Sequence, residues 1–231
     1  MIDHNFYASP VQASQTLITH ILEAMDKELE RPFTIALSGG TTPATLFEVW
    51  EREYAAYTPW SRIYFYWVDE RCVPPGDDQS NFGLAYRLLF SNPASHYYRI
   101  VGEGAPEEEA KQYSSIVKTT VPTVDGVPVF DFVLLGIGED GHTSSIFPDH
   151  QELLTAGEPY EVSVNPYNKT VRICMTGRPL IEARHTCFLV TGENKCSILK
   201  EILDKNKEGV YPASYIWHHA RNPQLYASLV S

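Results

Sequence analysis

Cysteine is scarce in this chain: there are four in 231 residues, and no two of them form a CxxC pair. They are Cys72, Cys174, Cys187 and Cys196. Clustered cysteines usually mark a zinc or thiol-redox site, so their dispersal argues against either use. We therefore expect buried or unreactive thiols and a protein that needs no metal.

Long hydrophobic runs are missing as well. No apolar stretch approaches the roughly 20 residues that a membrane-spanning helix needs. The first residues, MIDHNFYASPVQASQTLI, lack the basic region followed by an apolar region that marks a secretory signal. These absences predict a cytoplasmic protein that does not enter a membrane.

Positive charge is also in short supply, with 18 lysines and arginines against 29 aspartates and glutamates and a formal net charge of −11. Nucleic acids and anionic membranes bind basic surfaces, so neither is expected as a partner. An anionic small molecule would need a local cluster of positive groups that works against the overall field.

The chain has the composition of an ordinary globular protein, and no repeat or linker divides it. We expect a single domain over residues 1–231. Strands are predicted by apolar runs at 33–38, 63–70, 130–138, 171–176 and 186–192. Helices are predicted by apolar spacing at 8–30, 43–54, 105–121 and 193–205.

This alternation predicts an α/β fold with a mostly parallel sheet that is covered by helices on both faces. The run FDFVLLGIG at 130–138 is apolar at nearly every position, as expected of a strand buried on both faces. In such sheets ligands bind at the carboxyl ends of the strands. The residues that follow each strand are therefore the candidates for a site.

SGGTTP, at 38–43, follows the first strand. Its glycines allow close approach of the backbone to a ligand, Thr42 can cap the next helix, and Pro43 suits the first helical position. Free amides at a helix N-terminus bind phosphate. The same letters also fit an ordinary turn, and both interpretations stay open.

Asp69, Glu70 and Arg71 follow the second strand, in WVDERCVPPGDDQSNFG. Carboxylates and an arginine at the ligand-binding edge favour a functional role, whereas a solvated ion pair at a strand end is the alternative. Beyond the rigid loop, Ser80 or Asn81 is expected to begin another helix.

LLGIGEDGHTSSIFPD, at 134–149, follows the central strand. Gly138 lets the backbone approach a ligand, and Asp140 lies two residues before His142, where it could orient a catalytic imidazole. Hydroxyl side chains follow at 143–145. A polar turn uses the same residue types, but this combination favours a site in which His142 acts.

Two basic residues complete the candidates. Arg172 lies in the strand predicted at 171–176, and an arginine that faces inward from a strand needs an anion. Lys195 lies in the first turn of a predicted helix, where the helix dipole disfavours positive charge. A bound phosphate would satisfy both residues, whereas extension of Lys195 into water is the alternative.

Together, LSGGTTP, WVDERCVPPGDDQSNFG, LLGIGEDGHTSSIFP, VRICMT and VTGENK resemble the 6-phosphogluconolactonase family in order and spacing, over nearly the whole chain. The third motif is the most specific. The resemblance implies a modified Rossmann-like α/β fold, shared with glucosamine-6-phosphate deaminases. It also implies hydrolysis of 6-phospho-D-glucono-1,5-lactone, the second step of the oxidative pentose phosphate pathway, without a metal or an organic cofactor.

The resemblance also implies roles for individual residues. His142 is the general base, and Asp140 either holds its orientation or shapes the loop. Contacts with the phosphosugar lactone are expected from Ser38, Gly39, Gly40, Thr41, Asp69, Arg71, Gly138, Arg172 and Lys195. Thr41 stands where many relatives have serine, and it keeps the hydroxyl. We expect a monomer or a weak homodimer.

Three alternatives stay open. A serine-acyl route through Ser144 or Ser145 would have neither a GxSxG elbow nor an evident base. Deaminases of the same superfold resemble GHIAFNEP at this loop, with a glutamate that helps open the sugar ring, whereas residues 144–148 here contain none. A non-catalytic sensor of sugar phosphates would keep the pocket and lose the chemistry.

Overall fold

The computed structural model describes residues 4–28, 31–90 and 94–230. The strands in these residues are β1 (His4–Phe6), β2 (Phe33–Leu37), β3 (Ile63–Trp67), β4 (Asp69–Arg71), β5 (His96–Tyr97), β6 (Thr123–Val124), β7 (Val127–Pro128), β8 (Phe132–Leu135), β9 (Tyr160–Val164), β10 (Val171–Met175), β11 (His185–Thr191) and β12 (Pro223–Ser228). The α-helices are α1 (Pro10–Asp26), α2 (Thr41–Val49), α3 (Asn81–Leu88), α4 (Pro106–Thr120), α5 (Gly177–Glu182), α6 (Cys196–Leu203) and α7 (Pro212–His219).

The main sheet of the described chain has seven parallel strands in the order β1–β12–β11–β8–β2–β3–β5. β8 lies at its centre, and every residue of β8 and of β2 is buried. Successive side chains of a strand point to opposite faces, so this burial means that both faces of the sheet are covered. The predicted α/β fold is confirmed.

The strand predicted at 171–176 forms, as β10, but it belongs to a second sheet of the described chain. There it pairs antiparallel with β4 on one side and β9 on the other. The strand predicted at 63–70 accordingly divides at Val68 between β3 and β4. The Val68 N–H donates to the Leu37 carbonyl at 2.9 Å, and its own carbonyl accepts from the Met175 N–H at 2.6 Å. This junction brings side chains of the second sheet over the carboxyl ends of the main strands.

The predicted helices form with shifted ends. α1 ends at Asp26, and residues 29 and 30 of the predicted segment lie outside the described residues. The segment predicted at 43–54 becomes α2 and a π-helical turn at Trp50–Tyr54. The one at 193–205 becomes a 3-10 turn at Glu193–Lys195 followed by α6. α3 starts as predicted, because Ser80 Oγ accepts from the N–H of Gly83.

The predicted cap at Thr42 is wrong. α2 begins at Thr41, two residues before the predicted first helical residue Pro43, and Gly40 precedes it with a φ of +101°. This left-handed glycine turns the chain into the helix, so Thr42 and Pro43 fall within the first turn instead of starting it. The Thr42 hydroxyl pairs with that of Thr191 at 2.6 Å, which ties α2 to the end of β11.

The core of the protein is rich in large aromatic side chains, of which Trp50, Trp67 and Trp217 are almost fully buried. In the described part of the chain no helix combines the length and the apolar character needed to cross a bilayer. The expectation of a single domain stays a prediction.

Candidate active site

A cleft of about 210 Å³ opens at the carboxyl ends of β2, β8 and β11. Its lining includes the predicted residues Ser38, Gly39, Gly40, Thr41, Asp69, Arg71, Gly138, His142, Arg172 and Lys195. Asp140 does not line the cleft but contacts His142 from behind. Residues between positions 38 and 195 therefore lie together at the carboxyl ends of the strands, as their positions after predicted strands had indicated.

The Gly-rich turn forms the cleft wall beside α2. The first amides of a helix have no partner within the helix, so the start of α2 offers donors to an anion. Gly39 packs so tightly on Asn81 that a Cβ there would overlap the Asn81 side chain. Sequence reasoning placed Asn81 at a helix start but missed its place in the cleft wall.

Asp69 is the centre of a buried polar network. It accepts hydrogen bonds from Ser145 Oγ and, at 3.1 Å, from Asn81 Nδ2. Arg172 Nη1 lies 3.8 Å from Asp69 Oδ2 and 3.3 Å from Ser145 Oγ. Burial lowers the pKa of Arg172, and the Asp69 charge opposes this shift. Asp69 is thus the anion that an inward-facing Arg172 requires, and its predicted contact with substrate stays a prediction.

Glu70 and Arg71, next to Asp69, have different surroundings. The Glu70 carboxylate is buried and accepts from the N–H groups of Asn81 and Phe82, both at 2.8 Å, so it anchors the start of α3. Burial raises the pKa of Glu70, and these bonds oppose the shift. Arg71 Nη1 donates to the carbonyl of Gln79 while the side chain lines the cleft.

His142 and Asp140 form a hydrogen-bonded pair at the cleft. His142 Nδ1 lies 2.6 Å from Asp140 Oδ1, and the imidazole packs on Phe147 with ring centroids 4.6 Å apart. Burial acts to raise the pKa of Asp140, but hydrogen bonds from His142 and Tyr167 and the attraction of a charged imidazole outweigh it and hold that pKa at about 2. When Nδ1–H donates to the carboxylate, the neutral ring carries its lone pair at Nε2.

The two serines after His142 have unusual backbones and engaged hydroxyls. Ser144 and Ser145 have φ values of +51° and +56°, in the left-handed region. Ser144 Oγ donates to the carbonyls of Val68 at 2.7 Å and of Met175 at 3.0 Å, which fixes the loop to the junction of the two sheets. The Ser145 hydroxyl meets Asp69, a partner that the sequence did not reveal.

Lys195 is the last residue of the 3-10 turn that precedes α6. Its neighbour Asn194 donates to Glu139 Oε1 at 2.6 Å, linking the β11 turn to the loop that carries Asp140. With Arg71 and Arg172, Lys195 concentrates positive charge in one cleft of an acidic protein. The positive field of this cleft attracts an anionic ligand, although the net charge of the protein as a whole is negative.

A metal-binding cluster of three or more His, Cys, Asp or Glu side chains is not present among the described residues. The expectation that the protein uses no metal and no cofactor stays a prediction.

Comparison with known proteins decides the family. The profile of the family described as glucosamine-6-phosphate isomerases/6-phosphogluconolactonase matches residues 8–226. The chain belongs to this family. It is 40% identical to the 6-phosphogluconolactonase of Treponema pallidum over 172 residues, which cover 73% of this chain and 71% of that protein.

Two further members show the extent of the similarity. Identity with the 6-phosphogluconolactonase of Haemophilus influenzae is 38% over 194 residues, 82% of each chain. The crystal structure of 6-phosphogluconolactonase from Leishmania guyanensis superposes with a TM-score of 0.85 at 27% identity, covering 100% of this chain and 96% of that one. The family resemblance predicted from the motifs is confirmed.

Proposed function

We propose that this protein is a lactonase that hydrolyses 6-phospho-D-glucono-1,5-lactone to 6-phospho-D-gluconate. The observation that carries the proposal is the His142–Asp140 pair at the edge of a cleft that also holds Arg71, Arg172 and Lys195. A base beside a cationic pocket suits an anionic ester. The names of the relatives from Treponema pallidum and Haemophilus influenzae support the same reaction.

In the proposed mechanism His142 acts as a general base. Water is a poor nucleophile at neutral pH, and the neutral imidazole accepts its proton at Nε2 as the oxygen attacks the lactone carbonyl. Asp140 stabilises the imidazolium that forms. The carbonyl oxygen becomes negative in the tetrahedral intermediate, and the protonated imidazole then returns the proton to the ring oxygen as the C–O bond breaks.

The phosphate is proposed to bind between the Gly-rich turn and the cationic side chains. The first-turn amides of α2 supply neutral donors, and Arg172 and Lys195 supply charged ones. Anchoring the phosphate positions the lactone carbonyl relative to His142, so that remote binding contributes to the rate. Arg71 lines the same cleft and meets either the phosphate or the lactone.

The rival mechanisms and functions fit these residues less well. The Ser144 hydroxyl is committed to two carbonyl groups. Ser145 has Asp69 as a neighbouring carboxylate, but Arg172 also lies beside that carboxylate and weakens it as a base. A deaminase would need the glutamate that residues 144–148 lack. A sensor would not need the His142–Asp140 pair.

The direct test is turnover of freshly generated 6-phosphogluconolactone, corrected for spontaneous opening of the lactone. We expect rapid hydrolysis, with no ammonia released from glucosamine 6-phosphate. Ammonia release at a rate matching lactone hydrolysis would instead identify a deaminase. Tight binding of 6-phosphogluconate without any turnover would identify a sensor.

Gly138→Ala is expected to lower kcat about tenfold to hundredfold with little change in the free energy of unfolding. A Cβ at Gly138 would overlap His142 Nδ1 and Asp140 Oδ1, which are the movable ends of side chains. The substitution should therefore displace the pair without unfolding the loop. Steady-state kinetics and urea denaturation measure the two effects.

Gly136→Ala is the matched control in the same loop. A Cβ at Gly136 has no protein atom within 4 Å, so the His142–Asp140 pair stays in place; because Gly136 also lines the cleft, any loss is expected in KM and not in kcat. Equal losses in the two variants would mean that the loop tolerates no added side chain, and that displacement of His142 is not the cause.

A further inference from the structure

The hairpin between β9 and β10 carries a side chain that the mechanism above does not use. Tyr167 Oη donates to Asp140 Oδ2 at 2.9 Å, while the other oxygen of that carboxylate contacts His142. The Tyr167 side chain is largely exposed, at 70% relative accessibility for the residue, so core packing does not explain its position. Its hydroxyl nevertheless contacts Asp140, the carboxylate that is paired with the proposed base His142.

The hairpin itself is held in place by Asn165. The buried Asn165 side chain accepts, through Oδ1, from the N–H of Tyr167 at 2.9 Å and of Asn168 at 3.3 Å. The Asn165 N–H donates to the Thr170 carbonyl at 3.0 Å, and the Lys169 N–H donates to the Asn165 carbonyl at 2.9 Å. A turn tied to a buried side chain in this way restricts the backbone on which Tyr167 stands.

We propose that Tyr167 is a positioning residue that acts through Asp140. By holding one carboxylate oxygen, it keeps the other directed at His142 Nδ1, which sets the imidazole for proton transfer at Nε2. Without this bond the carboxylate turns more freely about its last torsion, which has a broad energy well. The inference rests on the proposed function of His142 and adds a residue from the second sheet to it.

The hydrogen bond also has an electrostatic consequence. Donation from Tyr167 stabilises the charged carboxylate, which matches the low pKa of Asp140 and, from the same bond, the raised pKa of Tyr167. A carboxylate that loses this donor attracts the imidazolium form of His142 more strongly. The neutral base should then appear only at a higher pH.

The surroundings make this effect specific to the pair. The other charged or titratable groups are Asp69, Arg71, Arg172 and Lys195 in the cleft lining, and Glu139, Asp149 and Tyr211 near the pair. Removal of the Tyr167 hydroxyl changes none of these charges. A shift in the pH profile would therefore report the Asp140–His142 contact.

The test is Tyr167→Phe, which keeps the ring and removes the hydroxyl. We expect kcat to fall about threefold to tenfold with KM unchanged, and the acidic limb of kcat/KM to move to higher pH. Tyr57→Phe is the control, because Tyr57 is also exposed, at 79%, and lies away from the cleft. Asn165→Ala, which frees the hairpin, should reproduce part of the loss.

A double-mutant cycle identifies the route of the effect. In an Asp140→Ala background the carboxylate acceptor is gone, so Tyr167→Phe should cause no further loss. A loss of the same size in that background would overturn the proposal, because Tyr167 would then act on another group. A rise in KM alone would overturn it as well, since it would indicate direct contact with substrate.

The titration of His142, followed by NMR, does not depend on turnover. Its midpoint is expected to rise in Tyr167→Phe and to stay unchanged in Tyr57→Phe. An unchanged midpoint in Tyr167→Phe overturns the positioning role even if the wild-type protein hydrolyses no lactone. A shifted midpoint without wild-type turnover counts against the proposed function alone.

Discussion

His142→Ala is expected to lower kcat for 6-phosphogluconolactone by about 10²–10⁴, the range that a missing general base costs. The fold should survive, because backbone and neighbouring side-chain contacts hold the loop. The Gly138 N–H donates to the His142 carbonyl at 2.9 Å, and Thr143 Oγ1 donates to the Gly136 carbonyl at 2.8 Å. Neither bond uses the imidazole. Initial rates, corrected for spontaneous hydrolysis, and thermal unfolding measure the two outcomes.

His150→Ala is the matched control for this variant. His150 also pairs with a carboxylate, at 3.1 Å from Glu152, but it lies outside the cleft. Its removal should leave turnover at the wild-type value. Near-wild-type turnover in a well-folded His142→Ala protein would remove His142 from the mechanism. It would favour the serine-acyl route through Ser145, with Asp69 as the neighbouring carboxylate.

The main sheet could be predicted because the signal for it is local. Every residue of β2 and β8 is buried, and the sequence shows this as apolar runs that only Thr34 in β2 interrupts. The rule that ligands bind at the carboxyl ends of parallel strands then brought Gly39, His142 and Lys195 together without any knowledge of contacts. The sequence was informative where burial alone decides the structure.

The second sheet could not be predicted in the same way. An apolar run predicts a strand but not its partner, and β10 pairs with β4, about 100 positions earlier in the chain. The hydrogen bond from Ser145 to Asp69 joins residues 76 positions apart, and that from Tyr167 to Asp140 joins residues 27 apart. Contacts of this kind depend on how the two sheets meet at Val68, which no local pattern encodes.

Two strands of the main sheet, β1 at one edge and β12 beside it, escaped prediction for a related reason. β1 has three residues, and β12 begins with Pro223 and Gln224, so neither contains a long apolar run. Both are strands because a neighbouring strand offers them hydrogen bonds, β12 for β1 and β11 for β12. Tertiary context, more than propensity, determines such strands.

Lys195→Ala is expected to lower kcat/KM for 6-phosphogluconolactone about tenfold to hundredfold, because a charged hydrogen bond contributes roughly 1.5–3 kcal/mol. The same variant should hydrolyse unphosphorylated gluconolactone at the wild-type rate, which is itself far lower. In the proposed site the charge of Lys195 stabilises the phosphate, so a substrate without a phosphate should lose nothing when that charge is removed. Initial rates with both lactones measure this difference.

Lys200→Ala is the control, since Lys200 is exposed on α6, five positions beyond Lys195 and outside the cleft.

Arg172→Ala should show the same selectivity for the phosphorylated substrate, but it also leaves Asp69 buried without its cation, so a loss of stability is expected with it. Calorimetry with 6-phosphogluconate provides the matching affinities. Equal losses on both lactones would place Lys195 at the lactone ring or in the fold. An unchanged affinity in both variants would mean that the phosphate binds elsewhere, and the cationic cleft would then need another ligand.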